Sequence, residues 1–159
     1  MATELAPHEQ RVVDVVDDVL GPLVADGRVL VAISPASDVR GALIEVRPSR
    51  AGACPVTIHC DAPGDLDLYV GRHELTTHIW KSREWKLGHF EALGAELRDW
   101  LTALVAGRYE EEVRLTDSGE PGKGRGTIHL EGGPHRFTYS HVPTVGSRGP
   151  WRKVSYLPY

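Results

Sequence analysis

Three aspartates, Asp61, Asp65 and Asp67, fall close together in the chain and are followed by Glu84 and Lys86. An acidic cluster followed by Glu-x-Lys is a set that can hold Mg²⁺ for phosphodiester cleavage, with the lysine polarising the attacked group. It defines one functional alternative: a small metal-dependent hydrolase or nuclease, or a ligand-binding domain built on the same aspartates. Against it stands the alternation of Asp65 and Asp67 with Leu66 and Leu68. That period-two pattern is what a strand wet on one face produces, and it is the reading preferred here.

The other reactive side chains do not converge on a centre. His129, His135 and His141 belong to one expected hairpin, in which His135 and His141 share a face and His129 takes the other, so they do not form a three-histidine metal site. His73 and His78 are five positions apart and alternate across a strand, and His59, Cys60 and Asp61 are strand neighbours that point apart. No G-x-S-x-G elbow is present. The stretch Gly119–Gly126, G-E-P-G-K-G-R-G, has the backbone donors to cradle a phosphate. It departs from the Walker A pattern, however, because position 117 is Asp and Gly124 follows Lys123 where Ser or Thr is needed. Its composition predicts a mobile connection from Ser118 to Arg125. No catalytic residue, metal ligand or cofactor is assigned.

The segment Ile79–Phe90, I-W-K-S-R-E-W-K-L-G-H-F, is the most distinctive. Trp80, Lys81, Arg83, Trp85 and Lys86 mix the aromatic and cationic groups from which interface hot spots are made, and they are taken as the partner-binding residues. The competing role for Trp80 and Trp85 is to cap the core beside a following helix.

Composition bounds the rest. A chain of 159 residues, 41% hydrophobic and 25% charged, can bury a core without metals or staples. The formal net charge of −4 argues against a dedicated nucleic-acid binder, which needs a cationic face. The charge is uneven: residues 1–80 hold 12 acidic and 6 basic side chains, residues 81–159 hold 10 and 12. Such polarity favours a protein partner or self-association. Cys54 and Cys60, six residues apart in one apparent strand, are too far separated to bridge. Free cysteines, the absence of a signal-peptide pattern in MATELAPHEQ and the lack of a long apolar run together predict a cytoplasmic location with no membrane span.

Periodicity then places these residues on elements. Val12, Val16, Val19, Leu20 and Leu23 predict a helix from His8 to Leu20 or Val24, which Gly21-Pro22 should end or kink. Strands are expected at Arg28–Ser34, Ala42–Arg47, Pro55–Cys60, Leu66–Val70 and Leu75–Trp80. A second helix, His89–Val105, is closed by Gly107. Further strands follow at Tyr109–Leu115, Gly126–Leu130 and His135–His141, with a last one near Val154–Leu157. Glu131–Pro134 reads as a hairpin loop that sets Leu130 against His135 and Ile128 against Phe137. The connections are too short for helical crossovers, so the strands should pair antiparallel.

A weak echo links L20-G-P-L-V-A-D-G-R28 to L101-T-A-L-V-A-G-R108, and His8 to His89. The expectation is therefore one α+β domain over 1–159, with two helices packed on antiparallel sheet and two α-β-β-β-β pseudo-repeats over 1–80 and 81–159. The functional expectation is a non-enzymatic protein-binding module: a chaperone, adaptor or immunity-protein-like factor, with homodimerisation among its modes.

Overall fold

Helix α1 spans Pro7–Ala25. Pro7 enters at the first helical position, where its missing N–H is not needed, and Glu9 reaches back to accept the Ala6 N–H at 2.6 Å. Val12, Val13, Val16 and Leu20 form its buried stripe. Of the two outcomes expected of Gly21-Pro22, an end or a kink, the helix does not end there: it runs on to Ala25. Pro22 and Asp18, whose carbonyl loses its donor, both lie on the exposed side, where water can replace the missing bond. The computed structural model describes residues 5–35, 41–61, 65–80, 90–140 and 149–159.

After α1 come β1 (Val29–Pro35), β2 (Gly41–Pro48), β3 (Val56–Asp61), β4 (Leu66–Val70) and β5 (Leu75–Trp80), which form one antiparallel sheet in sequential order. Helix α2 (Phe90–Val105) precedes β6 (Tyr109–Leu115), β7 (Pro121–Leu130), β8 (Gly133–Ser140) and β9 (Arg152–Ser155). These four form a second antiparallel sheet in the order β8-β7-β6-β9. The fold is α+β, with two helices and two antiparallel sheets. Helix α1 contacts β1 and β3, while α2 contacts β7 and β5. Ion pairs Arg11–Glu91 (3.2 Å) and Asp18–Arg98 join the helices with the same residue offset at both places, so α1 and α2 run parallel, side by side.

Two expectations are corrected. The Gly-rich stretch is not a loop from Ser118 to Arg125: β7 begins at Pro121 and pairs with both β6 and β8. Its glycines keep period two. Gly122, Gly124 and Gly126 are buried while Lys123 and Arg125 are exposed. A Cβ on Gly124 would collide with Leu75, and one on Gly126 with the Phe137 ring. Glycine is needed there for close packing, and composition alone read it as mobility. In the following hairpin, Glu131 and Gly132 make the turn alone. Leu130 therefore pairs with Gly133, Ile128 with His135 and Gly126 with Phe137, two positions from the expected register. A smaller correction concerns Cys54, which lies just before β3, outside the strand.

The geometry of the first half recurs in the second. Gly27 (φ 69) and Gly107 (φ 71) close the two helices. The N–H groups of Gly27 and Arg28 donate to Val24 and Leu23, and those of Gly107 and Arg108 donate to Leu104 and Ala103. Ser49 N–H then donates to the Arg28 carbonyl, and His129 N–H to that of Arg108, both at 2.9 Å. The β1–β2 pairs from Val29 to Ser34 reappear 80 positions on: Val29↔Pro48 as Tyr109↔Ile128, Val31↔Val46 as Glu111↔Gly126, and Ile33↔Ile44 as Val113↔Gly124; a register shift after Arg114 then sets Leu115 opposite Pro121.

Candidate functional site

The repeated geometry makes the free edge of β1 legible. The Ser49–Arg28 bond fixes that couple as hydrogen-bonded. By the alternation of an antiparallel ladder, Leu30, Ala32 and Ser34 turn their N–H and C=O groups to β2, while Val29, Val31 and Ile33 turn theirs away from it. Pro48 fits this phase, because it stands opposite Val29, where no donor is required. In the second half the same phase directs Tyr109, Glu111 and Val113 outward, and there β9 takes up the edge, with Glu111 opposite Val154 and Val113 opposite Arg152. On β1 no strand pairs with that edge among the described residues.

The β1 edge is also unguarded. Edge strands usually carry charge, proline or a covering element against unwanted pairing. β9 carries Arg152 and Lys153, β8 carries Pro134 and Arg136, and β5 lies against β7 and β8. β1 reads V-L-V-A-I-S-P, with no charge and its only proline at the last position. Leu30 is 58% exposed and Ile33 is 45% exposed, among the largest apolar exposures of the described residues.

A second feature is a buried carboxylate at the join of the two sheets. Glu111 is 0% exposed. Its Oε1 accepts from Tyr156 Oη (2.6 Å) and lies 2.7 Å from His73 Nδ1, and its Oε2 accepts from Tyr109 Oη (3.2 Å). Tyr156 Oη in turn accepts the Arg72 N–H at 2.5 Å. A buried carboxylate is tolerable only with its lone pairs occupied, and these partners supply that. The arrangement clamps the β4–β5 turn, Gly71 to Glu74, onto the second sheet. Gly71 (φ 82) permits the approach, because a Cβ there would strike the carboxylate, and Glu74 takes a left-handed φ of 51 to complete the turn.

Burial pushes the Tyr109 and Tyr156 phenols and the Cys54 thiol above their ordinary values. All three are thus held protonated, and the set serves as a clamp. Beside it opens a cleft of about 340 Å³, lined by Pro55, Thr57, Tyr69, Arg72, Glu74 and Tyr156.

The residues singled out from sequence divide as follows. Trp80 ends β5 opposite Leu66. Lys81, Arg83, Trp85 and Lys86, like Glu84, lie outside the described residues. The aspartates alternate as a half-solvated strand should: Asp67 stands opposite His59 on β3 and His78 on β5, and the Asp61 N–H donates to the Asp65 carbonyl. No group of three or more His, Cys, Asp or Glu side chains placed to hold a metal occurs among the described residues. Cys54 and Cys60 are both free and buried, and burial pushes the Cys60 thiol up to about 12. No described helix is long and apolar enough to cross a membrane.

Sequence reading missed Glu111 and the β1 edge. Glu111 shares its phase with buried Tyr109 and Val113, while Glu110, Glu112 and Arg114 take the other; an acid in the buried phase was the available signal. The charge-free run of β1 was visible, but its place at an edge depends on topology. No family model, curated protein or solved structure matches this chain.

Proposed function

We propose that this chain is a protein-binding module that takes an extended segment of another polypeptide along β1. The observation that carries the reading is the contrast between two equivalent edges: that of β6 is covered by β9, and that of β1 presents the outward groups of Val29, Val31 and Ile33 with no charge to repel a strand. Strand addition draws its affinity from main-chain bonds and its selectivity from alternate side chains. Leu30 and Ile33, exposed on opposite phases of the strand, supply the apolar contacts. This supports the adaptor or chaperone class over a hydrolase, and it moves the proposed contact from the Trp80–Lys86 segment to β1.

A synthetic peptide copying Arg28–Pro35, with lysines added for solubility, is a suitable extended probe. It should bind the whole chain at micromolar concentration and shift the amide resonances of Val29, Val31 and Ile33. The same peptide N-methylated at alternate residues should not bind. Equal binding of both peptides, or shifts confined to other strands, would count decisively against strand addition.

A further inference from the structure

We infer that the polypeptide docking on β1 is a second copy of this chain, with two β1 strands pairing antiparallel about a two-fold axis through Val31. The inference rests on the strand-addition reading and adds the partner and the register to it.

The register follows from which groups face outward. Only Val29, Val31 and Ile33 present both N–H and C=O to the open edge. An antiparallel partner satisfies all of them only if outward residues meet outward residues. Centring on Val31 sets Val31 against its copy, Val29 against Ile33 of the partner subunit, and Ile33 against Val29 of the partner subunit. All six outward groups are then mutually bonded. A shift of one residue would point outward groups at inward ones and lose the ladder. This set is symmetric about its own centre, as a self-complementary two-fold interface requires.

The side chains agree with the register. Leu30, the most exposed of the apolar residues on β1, falls opposite the small Ala32 of the partner subunit, twice by symmetry. On the other face, branched Val29, Val31 and Ile33 pair among themselves, as cross-strand neighbours favour. No charge lies within Val29–Pro35 to oppose its own copy. The molecule already carries the same arrangement once, since β9 lies antiparallel on β6 over Glu110–Val113, positions equivalent to Leu30–Ile33.

The test is sedimentation equilibrium on the whole chain from micromolar to millimolar concentration. Wild type should rise from 17.5 kDa towards twice that mass. Val31→Pro should stay monomeric at the same concentrations with an unchanged circular dichroism spectrum, because the N–H it removes points away from β2. A second variant does not depend on how Val31→Pro folds. Across the proposed axis the two Cα atoms of residue 31 would lie about 5.5 Å apart, within disulfide reach. Val31→Cys should therefore oxidise to a covalent dimer under a mild thiol oxidant. Leu30→Cys, displaced from its own copy by two residues, should not.

A chain that stays monomeric throughout overturns the inference, as does a dimer that Val31→Pro leaves intact and Val31→Cys does not cross-link. If the chain is monomeric yet binds the Arg28–Pro35 peptide, strand addition stands and the second copy falls. If the peptide also fails, both fall.

Discussion

β1 and β6 begin after the same glycine cap, pair with the next strand in the same register, and diverge in what fills them. Where β1 places Val29 and Val31, β6 places Tyr109 and Glu111; where β2 places Ile44 and Val46, β7 places Gly124 and Gly126. At these positions the first half is hydrocarbon, and no strand pairs with the outer edge of β1 among the described residues. The second half has its edge covered by β9 and carries a carboxylate ringed by hydroxyl and imidazole groups, with glycines making room for the Tyr109 and Phe137 rings. The same backbone is thus finished in two ways: one copy is fixed internally by buried polar bonds, and the other has no strand on its outer edge among the described residues. Polar groups locked inside specify a unique arrangement, whereas those left on an edge invite one from outside.

Alkaline titration should break the second half first and give the largest effect. Burial pushes Tyr109, Tyr156 and Tyr159 above the ordinary phenol value of 10, with the Glu111 charge adding to the shift of the first two. A group whose pKa is raised by folding holds its proton more tightly in the folded state. Its stabilisation is therefore complete below pH 10 and is lost as the pH climbs from there towards the folded value. Absorbance at 295 nm should show these tyrosines ionising together, in step with loss of circular dichroism. Smooth, independent ionisation near pH 10 in a chain that stays folded would show that the tyrosines are not closed in.

Exchanging the fillings at one equivalent position gives the next effect in size. Glu111→Ala removes the acceptor from Tyr109, Tyr156 and His73 together and should cost about 3–5 kcal/mol, since each buried donor left unsatisfied costs about 1–3 kcal/mol. Val31→Ala, at the matching place on the open edge, should cost about 1 kcal/mol. Urea unfolding midpoints compare them, and equal losses would mean that the clamp adds nothing to the hydrocarbon it replaces.

How far the chain could be read in advance follows the same division. Hydrophobic period and short connections were enough for both helices and the antiparallel strands, because each is written in local spacing. Leu66–Val70, Leu75–Trp80 and Tyr109–Leu115 match their expected bounds. Glycine was read as freedom at Gly124 and Gly126, where its use is to let Leu75, Tyr109 and Phe137 approach; that use depends on partners remote in sequence. The clamp joins residues 73, 109, 111 and 156, and the open edge is defined by the strand that is not beside it. Neither relation has a local signature. The aromatic segment from Trp80 drew attention by composition, whereas β1 has an ordinary composition and a distinctive position.

The two helix caps provide a finer comparison. Gly27 and Gly107 share a left-handed φ, so alanine at either should cost about 1–2 kcal/mol for the conformation alone. Around Gly27 a Cβ would meet nothing within 4 Å, but at Gly107 it would lie 2.8 Å from Pro158 N and 3.0 Å from Tyr156 O. Gly107→Ala should therefore be the worse of the two by a further kcal/mol or so, as overpacking against fixed backbone is. Thermal unfolding of the two variants reads the difference directly. Equal shifts would mean that the C-terminal segment yields at no cost and does not brace the second half.

The smallest effect concerns what holds the halves in parallel. Arg11–Glu91 and Asp18–Arg98 cross from α1 to α2 with the same offset, but their side chains are largely in water. Exposed pairs lose most of their attraction to solvent and to side-chain entropy. Their solvent-facing position makes them markers of helix register more than sources of stability. A double-mutant cycle on Asp18→Ala and Arg98→Ala should give a coupling well under 1 kcal/mol that fades as salt is added. Exchanging the charges, Asp18→Arg with Arg98→Asp, should restore the wild-type unfolding midpoint that either single change lowers, because two facing parallel helices keep the pair in reach whichever way round it is written. If the exchanged pair is no better than the worse single variant, the helices do not face one another at this level.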